Sequence, residues 1–255
     1  MQYEHVDLTF EGSVAMLTLN RPPLNLMNID MLEQMNAALL ELRDRKDLKV
    51  LLVRGNSEAF SAGIDMTEHT RERVGRLIQV FHRTFETIRL LDVIAVAAVE
   101  GVAHGGGFQL AIGCNIVVAS ETSRFAVPEI NLGLFPPLAA VVLPRAAPRR
   151  KAMEWILTGD EIPASELLTY GLVNRVLPDE TFDVRLEEFI AQLTSKSGPV
   201  MQLAKRAQLE SYYSGYEEAL YKAENFYLRD LMALDDPIEG VAAFLENRVP
   251  SWQDD

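Results

Sequence analysis

The sequence predicts an α/β protein, and three features carry that reading. Short apolar, β-branched runs alternate with longer amphipathic segments of helical period, the strand–helix–strand order that produces parallel crossovers. The runs at 93–99 and 116–118 show no polar alternation, as expected of strands buried on both faces. From Asp179 onward the chain reads as almost wholly helical.

The elements follow in order. Val6, Leu8 and Phe10 alternate, then Val14, Met16 and Thr18 alternate against Leu17 and Leu19, with Glu11-Gly12 as the turn, which is a hairpin signal. Arg21-Pro22-Pro23 breaks the second strand, and Asn28 can cap a helix over 29–45 with Met31, Leu32, Met35, Leu39 and Leu42 as its stripe. A buried strand at 50–53 ends at Gly55-Asn56. The loop to Met66 leads into a polar amphipathic helix over 71–91, with Leu77, Ile78, Phe81, Phe85 and Ile88 inside. Between the strands at 93–99 and 116–118, residues 101–107 form a glycine turn that opens a short helix from about Phe108. An extended piece at 125–127 precedes an apolar loop at 128–137, then helices over 138–147, 149–157 and 164–170 and a strand over 172–176. Helices over 181–195, 200–234 and 237–247 complete the chain, and Ser197-Gly198-Pro199 divides a core, 1–197, from a C-terminal helical region, 198–255. Tyr212, Tyr213, Tyr216, Tyr221, Phe226 and Tyr227 in that region are placed to cover the core or a neighbouring subunit.

Composition narrows the functional classes. The 255 residues include 24 Lys+Arg against 37 Asp+Glu, a formal charge of −13, which excludes a nucleic-acid or anionic-membrane binder acting through excess cations. At 48% apolar, the chain can bury a large core without disulfide or metal. The single cysteine, Cys114, cannot form an internal disulfide, no basic leader opens the chain, and no run reaches about 20 apolar residues. A soluble, cytoplasmic protein is expected. His5, His69, His82 and His104 have no Cys or His partner at zinc-site spacing, so no metal site is expected.

Three segments have the makings of a reaction site. Gly105-Gly106-Gly107 stands at a strand-to-helix turn, where main-chain N–H groups can point into one concavity and the helix dipole favours negative charge. Its spacing fits neither dinucleotide nor phosphate-loop fingerprints. Phe60-Ser61-Ala62-Gly63-Ile64-Asp65-Met66 is a second small-residue turn. Ala59 occupies the first glycine position of a serine-nucleophile elbow, so this loop is better explained as a backbone donor than as a source of Ser61. In the third segment, Glu129 lies in the proline-framed apolar stretch from Pro128 to Pro137, where burial raises a carboxylate's pKa toward the range useful to a general base.

Together these segments resemble the enoyl-CoA hydratase/isomerase (crotonase) family, over nearly the whole chain. Leu19-Asn20-Arg21-Pro22 with Asn25 is similar to its early turn, residues 60–66 to its first oxyanion loop, and Glu100-Gly101 through Gly107, with Leu110-Ala111 and Cys114, to its central signature. Pro128-Glu129 with Leu132-Gly133 resembles its catalytic loop; Leu157-Thr158-Gly159 and Gly171-Leu172-Val173 with Val176 follow in the family's order. The resemblance implies a crotonase-like spiral of ββα turns, a C-terminal helical trimerisation region, a homotrimer or a hexamer of paired trimers, and an acyl-CoA thioester as substrate. Coenzyme A is then an arm of the substrate and no separate cofactor is implied.

By motif position, the N–H groups of Ile64 and Gly106 would form an oxyanion hole, leaving the Ile64 side chain nearly irrelevant to catalysis. Glu129 would be the acid/base, and Ala62, Asp65 and Met66 would help seat the substrate. The sequence departs from the family's two-glutamate hydratases at Gln109, where an amide that can hold water but cannot shuttle a proton replaces a carboxylate. Asn115, where the family usually has Asp, reads as structural. Hydration or a double-bond shift by Glu129 alone is the resulting expectation; an isomerase without hydratase activity, or a weak acyl-CoA-binding module, is the alternative. A narrower resemblance, through Glu68-His69, Phe81-His82 and Leu134-Phe135-Pro136-Pro137, is to cyclic-dienoyl-CoA hydratases. His69 and His82 would then border the acyl pocket, against the plainer reading of solvated helix-face histidines. Phe81, Phe85, Phe108 and Phe135 would suit a compact ring, although helical spacing makes core packing the plainer reading of the first two.

Overall fold

A computed structural model describes residues 3–56, 59–212 and 214–254. Its path is repetitive: one strand enters a large sheet, the next enters a small sheet, and a helix brings the chain back. The first hairpin is β1 (Val6–Glu11) and β2 (Val14–Leu19), turning through Gly12-Ser13 with Gly12 at φ +53°, one residue later than the expected turn. After α1 (Ile29–Glu41) come β3 (Val50–Arg54), β4 (Ala59–Ser61) and α2 (Val74–Leu90). The next pass is β5 (Ile94–Val99), β6 (Val102–His104) and α3 (Gly106–Gly113), followed by β7 (Ile116–Ser120) and β8 (Arg124–Ala126). Then come α4 (Pro137–Ala146), α5 (Arg149–Thr158), β9 (Ile162–Pro163), α6 (Ala164–Thr169), β10 (Arg175–Leu177) and α7 (Phe182–Thr194). The last helices are α8 (Gly198–Ser211), α9 (Tyr216–Asn225) and α10 (Asp236–Leu245).

The large sheet runs β1-β2-β3-β5-β7-β10, parallel from β2 onward, and the small sheet runs β4-β6-β8-β9. The strands at 50–54 and 94–99 lie in the middle of the large sheet and are covered on both faces, which is why they carry no polar alternation. One face belongs to the main core with α1 and α2; the other packs Leu52, Val96 and Val118 against Phe182, Leu186 and Ile190 of α7. The Asn28 side chain accepts a hydrogen bond from Met31 N–H at 2.9 Å, so α1 starts where its cap predicts.

Several expected boundaries moved. β6 falls inside what reads as a glycine turn, and β4 and β9 are too short for any periodic signal. Leu172 and Val173 join the core, but residues 172–174 are a bend, not a strand. There Asn174 mimics a strand partner: its N–H donates to Val117 O and its Oδ1 accepts from Val117 N–H, each at 2.8 Å, and pairing with β7 begins at Arg175. The helix expected over 200–234 is interrupted between α8 and α9, where Gly215 takes an extended conformation, and it continues past Asn225 as a π-turn. Tyr213 lies outside the described residues; Tyr212, Tyr216, Tyr221 and Tyr227 are exposed, while Phe226 is half-buried under the Arg206 guanidinium.

Candidate active site

The turns singled out in the sequence meet around one cavity of ≈ 620 Å³. Its walls are the turn 62–67, Gly105-Gly106 at the start of α3, the 128–137 loop and one stripe of α2.

The first turn is held by main-chain pairing that the sequence does not announce. Met27 N–H donates to Gly63 O at 2.8 Å and Asp65 N–H donates to Met27 O at 2.9 Å, which leaves the Ile64 N–H on the opposite edge of this short extended segment. Asn25, fully buried at φ +49°, stitches the early turn to β4 by donating from Nδ2 to Ala59 O and Phe60 O at 3.0 and 3.2 Å. Ser61 is also fully buried: its Oγ donates to Asn25 O at 2.7 Å and accepts from Gly63 N–H at 3.1 Å, so it is a strut rather than a nucleophile. Cys114 is likewise excluded, since burial pushes its thiol up to about 12.

The second turn requires its glycines. Gly105 sits at φ +49°, ψ −116°, a conformation L side chains rarely adopt, and donates its N–H to Ala126 O at 2.8 Å. At Gly107 a side chain would collide with the Ser61 carbonyl, so α3 packs directly on β4. Gly106 is the first residue of α3, where a helix leaves its N–H groups unpaired. A Cβ at Gly63 would lie 3.5 Å from Gly106 N, and one at Gly106 would lie 2.9 Å from Ile64 Cγ1. The two turns therefore touch, and the Ile64 side chain fills the space that glycine leaves at 106. It is a packing element between the two turns.

Glu129 opens a 3-10 turn, Pro128–Leu132, and faces the second of these turns: a Cβ at Gly105 would lie 3.0 Å from its Oε1. Burial raises its carboxyl above the ordinary range, only partly offset by hydrogen bonding at its own backbone and from Gln109. Gln109, 3% exposed, donates from Nε2 to Glu129 Oε1 at 3.0 Å, and its own Oε1 accepts from Ala139 N–H at 3.2 Å. Glu129 Oε2 is buried with no protein partner among the described residues.

The remaining expected residues divide. Ala62, Asp65 and Met66 line the cavity. The Asp65 carboxylate accepts from Thr67 and pairs with Arg21 at 2.9 Å; chiefly the Thr67 hydroxyl, with the arginine, holds its pKa below the ordinary range despite burial. Met66 is exposed at the rim. His69, His82, Phe81 and Phe135 also line the cavity, whereas Phe85 packs edge-on to Phe81 and Phe108 packs on Phe125 in the core. Asn115 is structural: its Oδ1 accepts from Ala95 N–H at 2.9 Å. Ala139, Met27 and Asn25 act at the site through other residues, and single residues of these types give no sequence signal of such contacts.

The family model described as enoyl-CoA hydratase/isomerase matches residues 9–255. A probable enoyl-CoA hydratase of Mycobacterium tuberculosis is 32% identical over 256 residues, covering 99% of each chain. The human mitochondrial enoyl-CoA hydratase domain-containing protein 3 is 34% identical over 233 residues, covering 89% of this chain and 76% of its own. The crystal structure of that human protein superposes with a TM-score of 0.93 at 31% identity, covering 98% of this chain and 100% of the other. An enoyl-CoA hydratase of Mycobacterium smegmatis does so at 0.93 and 30%, covering 98% and 99%. The repeated ββα path is thus the crotonase spiral, and the chain belongs to the enoyl-CoA hydratase/isomerase family.

Proposed function

We propose that this protein acts on an enoyl- or dienoyl-CoA thioester, with Glu129 as the sole proton carrier and the N–H groups of Ile64 and Gly106 as donors to the thioester oxygen. The observation that carries this reading is that Glu129 lines the cavity bordered by both glycine turns and that its Oε2 lacks a protein partner among the described residues. For a double-bond shift, the carboxylate takes a proton from C2. The C–H electrons become a dienolate with charge on the thioester oxygen, and the same proton returns at C4. For hydration, Glu129 takes a proton from water as the water oxygen bonds to C3, the charge moves to the thioester oxygen, and Glu129 delivers its proton to C2. In both, two amides fixed by the fold meet charge that develops only on reaction, and such a donor is worth about 3 kcal/mol.

Both reactions need one base. Incubation with straight 2-enoyl-, 3-enoyl- and cyclic dienoyl-CoA thioesters in heavy-oxygen water decides between them: label in the product means hydration, and a moved double bond without label means isomerisation. Binding of every thioester with turnover of none would replace the enzyme reading by a binding module. We also propose that the exposed apolar side chains of the C-terminal helices, among them Tyr216, Leu228, Phe244 and Leu245, are covered by further copies in a trimer or hexamer.

A further inference from the structure

The cavity has a yielding rim and a firm inner end. Met66, Ile78, Leu132 and Phe135 line it but are exposed, Phe135 by 66%, so they have solvent to move into. Leu77, Phe81, Gln109 and Pro136 line it and are buried, Phe81 being only 7% exposed. Phe81 is the bulkiest of these four, and it is braced from behind. Its ring meets that of Phe85, one turn further along α2, edge-on at a centroid distance of 4.8 Å. Phe85 in turn lies in a notch that exists because residue 113 is glycine: a Cβ there would collide with the Phe85 ring. The space behind Phe81 is therefore filled, and a close-packed interior gives its ring nowhere to retreat.

The same contacts fix where Phe81 stands. Gln109 and Gly113 lie one turn apart on α3, so the notch that receives Phe85 opens on the helix face that carries Gln109. Phe81, packed on Phe85 and lining the same cavity as Gln109, is thereby brought to the end where the Gln109 amide lies 3.0 Å from Glu129 Oε1. With C2 and C3 of the substrate at Glu129, the acyl carbons just beyond them meet Phe81. An unbranched chain passes this wall, whereas a branch at that point requires the ring to move, which Phe85 and Gly113 oppose. We propose that Phe81 is a specificity-determining residue that restricts the acyl group just beyond C3 to an unbranched chain. This rests on the acyl-CoA reading of the cavity.

The test separates the two. Calorimetric binding of two unreactive saturated thioesters, pentanoyl-CoA against 4,4-dimethylpentanoyl-CoA, varies only the girth at C4 and reads recognition without chemistry. The parent should bind the straight thioester about tenfold tighter or more, the scale on which an apolar pocket resolves a methyl group. Phe81→Ala should narrow that ratio to about threefold or less, with the branched thioester gaining in absolute affinity. Equal binding of the two by the parent would overturn the proposal, and so would a ratio that Phe81→Ala leaves unchanged, as when a merely structural loss weakens both alike. Absence of binding by either thioester to the parent would instead overturn the acyl-CoA reading beneath it. If Phe81→Ala misfolds, judged by its melting curve, Phe81→Leu serves, because it trims the ring while keeping an apolar core side chain and should narrow the ratio by about threefold.

Discussion

Gln109 donates from Nε2 to Glu129 Oε1 at 3.0 Å, so the residue that replaces an expected carboxylate ties down one oxygen of the remaining acid. The other, Oε2, is buried with no hydrogen-bond partner among the described residues. Since Gln109 is also anchored through Oε1 to Ala139 N–H, its donor is oriented and restrains the Glu129 carboxylate.

Glu129→Gln should lower kcat/KM by about 100-fold or more, the scale for losing a general base. Turnover within a factor of about three of the parent would remove Glu129 from the mechanism.

The same residue sets two pH dependences. Its carboxyl is raised by burial, so the acid limb of kcat/KM should lie above the ordinary value of 4.5 and should vanish in Glu129→Gln. For stability, the folded chain holds the Glu129 proton more tightly than the unfolded one. Between 4.5 and the raised value folding takes up a proton, and stability from this group falls as pH rises through that window. Above the window the buried carboxylate is a standing cost. Glu129→Gln should therefore melt higher than the parent near pH 7, with the gap closing below pH 4.5, as read by melting curves across pH.

Gln109→Glu would place a second carboxylate about 3 Å from the first, so the pair would share a proton and one member could act as acid while the other acts as base. Hydration of straight-chain 2-enoyl-CoA should rise about tenfold on that account. An unchanged rate in a folded variant would show that the amide does not limit hydration.

Gly105→Ala should lower kcat/KM by about tenfold or more, because a Cβ 3.0 Å from Glu129 Oε1 displaces the carboxylate. The positive φ adds about 1–3 kcal/mol of backbone strain. A drop in melting temperature with unaltered kinetics would separate strain from positioning and count against the Glu129 placement.

Lys205 of α8 is buried and donates from Nζ to Leu91 O and Val93 O at 2.8 Å and to Ile88 O at 3.3 Å, gripping the end of α2. Burial draws its ammonium down to about 8. Lys205→Met should destabilise the fold by about 2 kcal/mol by orphaning these carbonyls, a fall in Tm of about 4–8 °C for a chain of this size. Scanning calorimetry reads it.

The sequence by itself determined the class of fold, the Asn28 cap, the doubly buried strands and the glycine turns with the Pro128-Glu129 segment, because periodicity, capping and glycine spacing are local properties of the chain. The strands at 59–61, 102–104 and 162–163 were not legible: they are too short for a period and exist because a neighbour offers hydrogen bonds. Tertiary structure alone decided that Met27 clamps the residues on either side of Ile64, that Gln109 restrains Glu129 from a point 20 residues upstream, and that His69 and His82 line one cavity. Each of these depends on which segments the spiral stacks side by side, and burial, which shifts the Glu129 carboxyl and strands the His69 nitrogen, exists only once those segments have closed over them.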